Sequence, residues 1–275
     1  MTRDRTLKET TITGQSEVSA LRLSDVSVNF GNYRAVSDVT FDLPIGYLLV
    51  ILGVNGAGKS SLLRCINRTV PISGGSITIF GKDVASLSRR ELATNVAVVA
   101  QENETKFPIT VFQYVLSGRY SHSFGFGPDS SEDIAAVQNA IALCNLSGYD
   151  NRLMNELSGG ERQRAVLARA IATQARILLL DEPSANLDPG NQSMIFKLVS
   201  SRCKECGGSA VIVTHDLNLA SYFADTVLLM ERGRLIDIGE PTKVLTSDNL
   251  RKTYGIEASV EIDSQKMRPR ITILY

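Results

Sequence analysis

The sequence has no excess of charge of either sign: 29 Lys plus Arg stand against 29 Asp plus Glu over 275 residues. No chain-wide basic field is available to hold nucleic acid or anionic lipid, and binding either would need a local patch. Long hydrophobic runs are missing too. Stretches such as Tyr47 to Val54 and Ile177 to Leu180 fall far short of the roughly 20 apolar residues that cross a bilayer, so another chain must supply any membrane span. Residues 1–20 are polar, mixed in charge and without an apolar stretch suited to a secretory leader; they read as a flexible N-terminal extension. Cysteine is scarce. Cys65, Cys144, Cys203 and Cys206 are too few and too scattered for a disulfide framework, which fits a reducing cytoplasm. Cys203-Lys-Glu-Cys206 has the spacing of half a zinc site, but no second pair or nearby His completes it, and it reads as a helix end before the Gly207-Gly208 turn. Internal repeats and coiled-coil heptads are absent.

What is present suffices for one sizeable core, with 43% hydrophobic residues. Short continuous apolar runs at Tyr47–Leu52, Val96–Ala100, Ile177–Asp181 and Ala210–Thr214 recur between helical stretches. This is the pattern of parallel strands buried on both faces, and it predicts an α/β sheet. Leu21–Phe30, Val39–Leu43 and Ser76–Phe80 alternate like half-exposed antiparallel strands and predict a smaller second layer. Between Glu102 and Asn155 helix signals take over. Ser130-Ser-Glu-Asp133 supplies a cap and first-turn acids, and Ile134, Val137, Ile141 and Cys144 are expected to line one buried face. Glu231-Arg-Gly-Arg234 predicts a hairpin, and the tail alternates through Ile271, Ile273 and Tyr275.

Gly53-Val-Asn-Gly-Ala-Gly-Lys-Ser60 fits G-x-x-x-x-G-K-[ST] in full, after a predicted buried strand and before the helical run from Ser61. Gly53, Asn55, Gly56, Ala57 and Gly58 shape a backbone that turns its N–H groups onto phosphate, and the next helix aims its positive end there. Lys59 is expected at the β and γ phosphates, with Ser60 on magnesium and Ser61 in the same cradle. Arg176-Ile-Leu-Leu-Leu-Asp181-Glu182 delivers two carboxylates to the carboxyl end of an interior strand. Asp181 is the candidate magnesium-side ligand and Glu182 the candidate general base. A second anion-binding helix start is predicted at Leu157-Ser-Gly-Gly-Glu161, where Ser158 has cap chemistry and Gly159 and Gly160 expose backbone N–H groups. Two such termini but one P-loop lysine leave two arrangements: both grip one nucleotide within a chain, or a second copy contributes one of them.

Leu157 to Glu161 resembles the signature motif of the ABC ATPase family. The resemblance runs from about Leu21 to the C-terminus, with further motifs in order: Phe30 before Gly31, Gln101 after the strand at Val96, Ser184-Ala-Asn-Leu-Asp188, and His215 in Thr-His-Asp. It implies a P-loop NTPase (RecA-like) core with an antiparallel β layer, over 21–275, and an inserted helical subdomain at about 103–160. It also implies ATP and magnesium as cofactors, Phe30 stacked on adenine, Gln101 as a magnesium sensor, and His215 at the γ phosphate. Asp188 is expected to communicate across a homodimer in which the signature of one copy meets the P-loop of the other. Within the family the likeness is to ATPases of ferric siderophore, haem and cobalamin importers, through Gly118-Arg-Tyr-Ser-His122, His215–Ala220, Gly239–Pro241, Leu250 and Tyr254-Gly255, although Ser121 stands where those commonly have Pro. Such proteins imply a separate transmembrane permease, a substrate-binding protein, and a place on the cytoplasmic face of the cell membrane. Phe124-Gly-Phe-Gly-Pro128 reads either as a permease-facing surface or as an ordinary loop. The alternative reading is a soluble ABC ATPase acting on ribosomes or DNA, but the chain has one cassette and no long coiled-coil insertion.

Overall fold

The computed structural model describes residues 19–100, 108–122, 130–185 and 187–274. Gln101, the stretch Phe124–Pro128, Asn186, Tyr275 and residues 1–18 lie outside that set. The elements follow in chain order. β1 (Leu21–Phe30), β2 (Tyr33–Leu43) and β3 (Leu48–Leu52) lead into α1 (Lys59–Ile66), and β4 (Gly74–Ile79) and β5 (Lys82–Asp83) into α2 (Arg89–Asn95) and β6 (Val96–Val99). Three helices follow, α3 (Val111–Leu116), α4 (Ser131–Leu143) and α5 (Gly159–Ala172), then β7 (Ile177–Asp181), α6 (Pro189–Cys206), β8 (Ser209–Val213) and α7 (Leu217–Phe223). The C-terminal part holds β9 (Thr226–Glu231), β10 (Arg234–Gly239), α8 (Pro241–Val244), α9 (Ser247–Tyr254), β11 (Glu257–Asp263) and β12 (Arg268–Leu274).

The four apolar runs become β3, β6, β7 and β8 of a six-stranded sheet ordered β10-β9-β3-β8-β7-β6, parallel except for the edge strand β10. Period-two alternation divides each strand between two cores. Leu48, Val50 and Leu52 with Leu178, Leu180, Ala210 and Ile212 face the helices α3 to α7. Leu49 and Ile51 with Ile177, Leu179, Val211 and Val213 face α1 and the second layer. That layer is the antiparallel sheet β2-β1-β4-β5, as the half-exposed runs predicted. The hairpin at Glu231–Arg234 is the β9–β10 turn, and Cys203 and Cys206 are free thiols in the last turn of α6, which Gly207 closes.

Two packing expectations need correction. Ile134 is 44% exposed, while Asp133, Ala136, Val137, Ala140, Ile141 and Cys144 make the inward face of α4. The stripe is rotated because the first turn buries a carboxylate that has a cationic partner, Arg119, instead of a hydrophobe. In the tail, Ile271 is buried but Ile273 is 40% exposed. β11 and β12 form a two-stranded sheet of their own, in which Ile273 pairs with the buried Ala258. Among the described residues no helix is long and apolar enough to cross a membrane.

Candidate functional site

β3, β8 and β7 are adjacent and parallel, so their carboxyl ends lie side by side and release three loops at one place: Gly53–Gly58, Thr214–His215 and Asp181–Glu182. The first loop is confined by its surroundings. Gly53 has φ 151° and Gly58 φ 96°, and a Cβ would sit 2.2 Å from the Met230 carbonyl oxygen at Gly53 and 2.3 Å from that of Ala35 at Gly58. Only glycine fits such a backbone. Lys59 opens α1 and folds back, its Nζ donating to Gly53 O at 2.7 Å and Val54 O at 3.0 Å. Burial pulls its pKa below the ordinary lysine value, against the opposing pull of the Glu182 and Asp181 carboxylates.

Ser60 Oγ donates to Asp181 Oδ1 at 3.0 Å. Burial is the main cause that pushes the Asp181 carboxyl above its usual range, with the negative charge of Glu182 adding to it and the Ser60 hydrogen bond opposing it. A hydroxyl and a desolvated carboxylate side by side are oxygen donors suited to a hard cation that takes its remaining ligands from phosphate and water. No group of three or more His, Cys, Asp or Glu among the described residues makes an all-protein cage. Glu182 adopts φ 49°, a left-handed conformation that costs a non-glycine residue on the order of 1–3 kcal/mol. Its amide donates to Val213 O at 3.0 Å, and its Oε1 lies 2.6 Å from His215 Nε2, so both ends of the residue are tied to β8 and the turn after it.

A cleft of about 590 Å³ joins these groups, lined by Asn55–Ser61, Glu182, His215, Ala35, Phe30 and Tyr33. Phe30 and Tyr33 are 48% and 60% exposed, a pair of open ring faces at its edge. Tyr33 and Ala35 were missed in the sequence. The signal for Tyr33 was the turn Gly31-Asn32, which makes Phe30 and Tyr33 cross-strand partners.

Ser158, Gly159, Gly160 and Asp188 do not line this cleft. Ser158 caps α5 in a reciprocal box: its N–H donates to Glu161 Oε2 at 2.8 Å, and its Oγ accepts from Glu161 N at 3.3 Å. Hydrogen bonding to the carboxyl from the Ser158 backbone, then the Ser158 side chain, then the Tyr149 hydroxyl at 2.9 Å brings the Glu161 carboxyl down to about 2. A Cβ on Gly159 would meet nothing within 4 Å, so α5 is open at that residue, whereas a Cβ on Gly160 would meet the Asn191 side chain at 3.1 Å. Asp188 caps α6 by accepting from Asn191 N at 3.1 Å, and the Asn191 side chain in turn accepts from Arg164 Nη1 of α5 at 2.6 Å. Within one chain, then, the P-loop joins Asp181, Glu182 and His215, and the second helix terminus stands apart.

Comparisons with known proteins place the chain in a family. The family described as ABC transporter matches residues 36–185, more than half of the chain. The hemin import ATP-binding protein HmuV of Rhodococcus jostii (strain RHA1) is 36% identical over 235 residues, covering 86% of this chain and 80% of the relative. The iron(3+)-hydroxamate import ATP-binding protein FhuC of Bacillus subtilis (strain 168) is 31% identical over 252 residues, covering 92% and 94%. A solved structure described as an inward-facing conformation of a metal-chelate type ABC transporter superposes with a TM-score of 0.81 at 27% identity, covering 94% of this chain and 98% of that one. The chain belongs to the ABC transporter family as one of its ATP-binding, ATP-hydrolysing subunits.

Proposed function

We propose that this ATPase energises the import of an iron–siderophore complex, haem or cobalamin through a separate transmembrane permease, working as two copies on the cytoplasmic face of the cell membrane and fed by a substrate-binding protein. Residues 21–275 act as one ABC ATPase domain carrying the helical insertion of about 103–160. The importer reading is supported by the hemin and hydroxamate relatives and the metal-chelate structural neighbour. The two-copy reading is carried by one observation: the open N-terminus of α5 stands outside the cleft that holds the P-loop. Nucleotide phosphates on one P-loop then offer charge to the Ser158–Gly160 terminus of a second chain.

On this reading the Gly53 and Val54 carbonyls give up Lys59 to the phosphates when ATP enters. Ser60 and Asp181 would hold magnesium, which would neutralise developing charge on the phosphates, and the family likeness implies Gln101 as a further ligand. Phe30 and Tyr33 take the adenine ring by stacking. Glu182 orients the attacking water and accepts its proton, and His215 holds the Glu182 carboxylate and reaches the γ phosphate. Asp188 passes the state of one site to its partner through Asn191 and Arg164. The test is to tag the chain in its native cell, solubilise the membranes in mild detergent and identify what co-purifies. A polytopic permease whose loss abolishes chelate uptake is expected. Recovery in the soluble fraction alone, or on ribosomes or DNA, overturns the transport reading and leaves the ATPase standing.

A further inference from the structure

The signature helix α5 is gripped at the end remote from Ser158 by three residues of the segment Gly118–His122, namely Gly118, Arg119 and His122, none of which lines the cleft. Gly118 presses against its last turn so closely that a Cβ would sit 2.4 Å from Arg169 O. Arg119, 6% exposed, donates through Nη1 to Ala172 O at 2.9 Å and to Gln174 Oε1 at 3.0 Å, and through Nε to Asp133 Oδ1 at 2.7 Å. His122 Nε2 lies 2.7 Å from Thr173 O, the geometry of an imidazole N–H donating to that carbonyl. Ser121 O accepts from Arg90 Nε of α2 at 3.0 Å, which ties the grip to the element just before β6. Ala172 O and Thr173 O belong to the negative end of α5, where a guanidinium and an imidazole N–H are favourable partners.

The place of this grip in the chain gives it a consequence. α5 runs from the signature at Ser158 to Ala172, the chain turns at Gln174 with φ 53°, and β7 then leads to Asp181 and Glu182. Downstream of the turn the backbone is tied to the central-sheet side: Ala175 O accepts from Arg202 of α6, and Arg176 O from Ser209 N of β8. Upstream, the carbonyls at the end of α5 are held by Arg119 and His122. A buried ion pair gains little over apolar residues of the same shape, whereas its guanidinium fork fixes a direction, here between the start of α4 and the end of α5. Fourteen residues of helix span about 21 Å, so a tilt of about 5° at the gripped end displaces the signature by about 2 Å. Misplacement of about 1 Å already costs a positioned reaction on the order of 10²-fold.

We infer that Arg119, seconded by His122, is a positioning residue for ATP hydrolysis: it sets the direction of α5 relative to β7, so that the signature of one copy meets the phosphates held by the other. This rests on the two-copy reading above. The test uses Arg119→Lys, which keeps a cation beside Asp133 but loses the paired Nη1 bonds, alone and combined with Glu182→Gln. Affinity for a fluorescent ATP analogue at the separate chain is expected within about twofold of wild type, while kcat falls at least about tenfold. The ATP concentration that dimerises the Glu182→Gln chain, read by light scattering, is expected to rise at least about tenfold when Arg119→Lys is added. An unchanged kcat with unchanged ATP-dependent dimerisation overturns the inference. A Glu182→Gln chain that never dimerises overturns the two-copy reading itself, a separate failure. If Arg119→Lys does not fold, His122→Ala takes its place, with His122→Gln expected to restore closure because its amide can donate to Thr173 O. Equal loss of nucleotide affinity and closure in both His122 variants would show a merely structural role and also overturn it.

Discussion

At the residue scale, the candidate general base sits on a strained backbone. Glu182 holds a left-handed φ directly after the desolvated Asp181, and its carboxylate is shared with His215 at 2.6 Å. Glu182→Gln keeps the shape and a hydrogen-bonding amide but removes the proton acceptor, so kcat should fall on the order of 10²- to 10⁴-fold while ATP binding persists. Steady-state hydrolysis beside an equilibrium binding titration checks this, and normal turnover would rule Glu182 out as base. Glu161 offers a second residue-level prediction. Its carboxyl is brought from 4.5 down to about 2 by the Ser158 backbone and side chain and by Tyr149. A group whose folded pKa lies below its unfolded value stabilises the fold above the unfolded value and loses that contribution as pH falls through the folded one. Glu161→Gln keeps the capping geometry without titrating. Urea midpoints of wild type should therefore fall more steeply than those of the variant between about pH 4.5 and about 2. Identical slopes would refute the box as the cause of the shift.

At the scale of elements, α5 has one end built for an anion and one end clamped. Gly159→Asp separates the helix start as a structural part from the helix start as a ligand site. A Cβ added at Gly159 meets nothing within 4 Å, and a carboxylate at a helix N-terminus is favourable by about 0.3–1 kcal/mol. The variant should melt at or slightly above the wild-type temperature, yet lose ATP-driven association, because its carboxylate occupies the seat and repels phosphate. Melting by calorimetry and association by light scattering give the two answers independently. The parts of this architecture that follow local rules were legible in the sequence: the P-loop, the strand that carries Asp181 and Glu182, and the Ser158 cap of α5 are each set by a contiguous segment. What escaped depends on contacts between distant residues. Asp133 replaces Ile134 on the buried face of α4 because Arg119, fourteen residues away, neutralises it. Tyr33 reaches the cleft because a two-residue turn sets it beside Phe30. No hydrophobic period encodes either, since both are decided by a partner rather than by a repeat.

At the scale of the whole molecule, the P-loop and the start of α5 do not line one cleft, and on the two-copy reading proposed above symmetry supplies the way to join them. Two copies related by a two-fold axis make two equivalent composite sites, each with the P-loop of one chain and the signature of the other. That arrangement has a consequence no single-chain site can imitate. Lys59→Ala removes the cation that serves the phosphates, and Gly159→Asp blocks the signature, so each variant alone has two dead sites and should be inactive. In a mixed dimer both lesions fall on the same site, Lys59→Ala in its P-loop and Gly159→Asp in its signature. The other site then combines an intact P-loop with an intact signature. Random assortment makes half of the dimers mixed, each with one competent site of two, so mixing equal amounts should restore about a quarter of wild-type hydrolysis if the sites fire independently. Restored activity below that fraction would measure how far one site needs the other, a coupling that Asp188, Asn191 and Arg164 are placed to carry. No recovery at any ratio together with no ATP-driven association of the mixed pair, from variants that each remain folded, would return both helix termini to one chain and dismantle the two-copy reading.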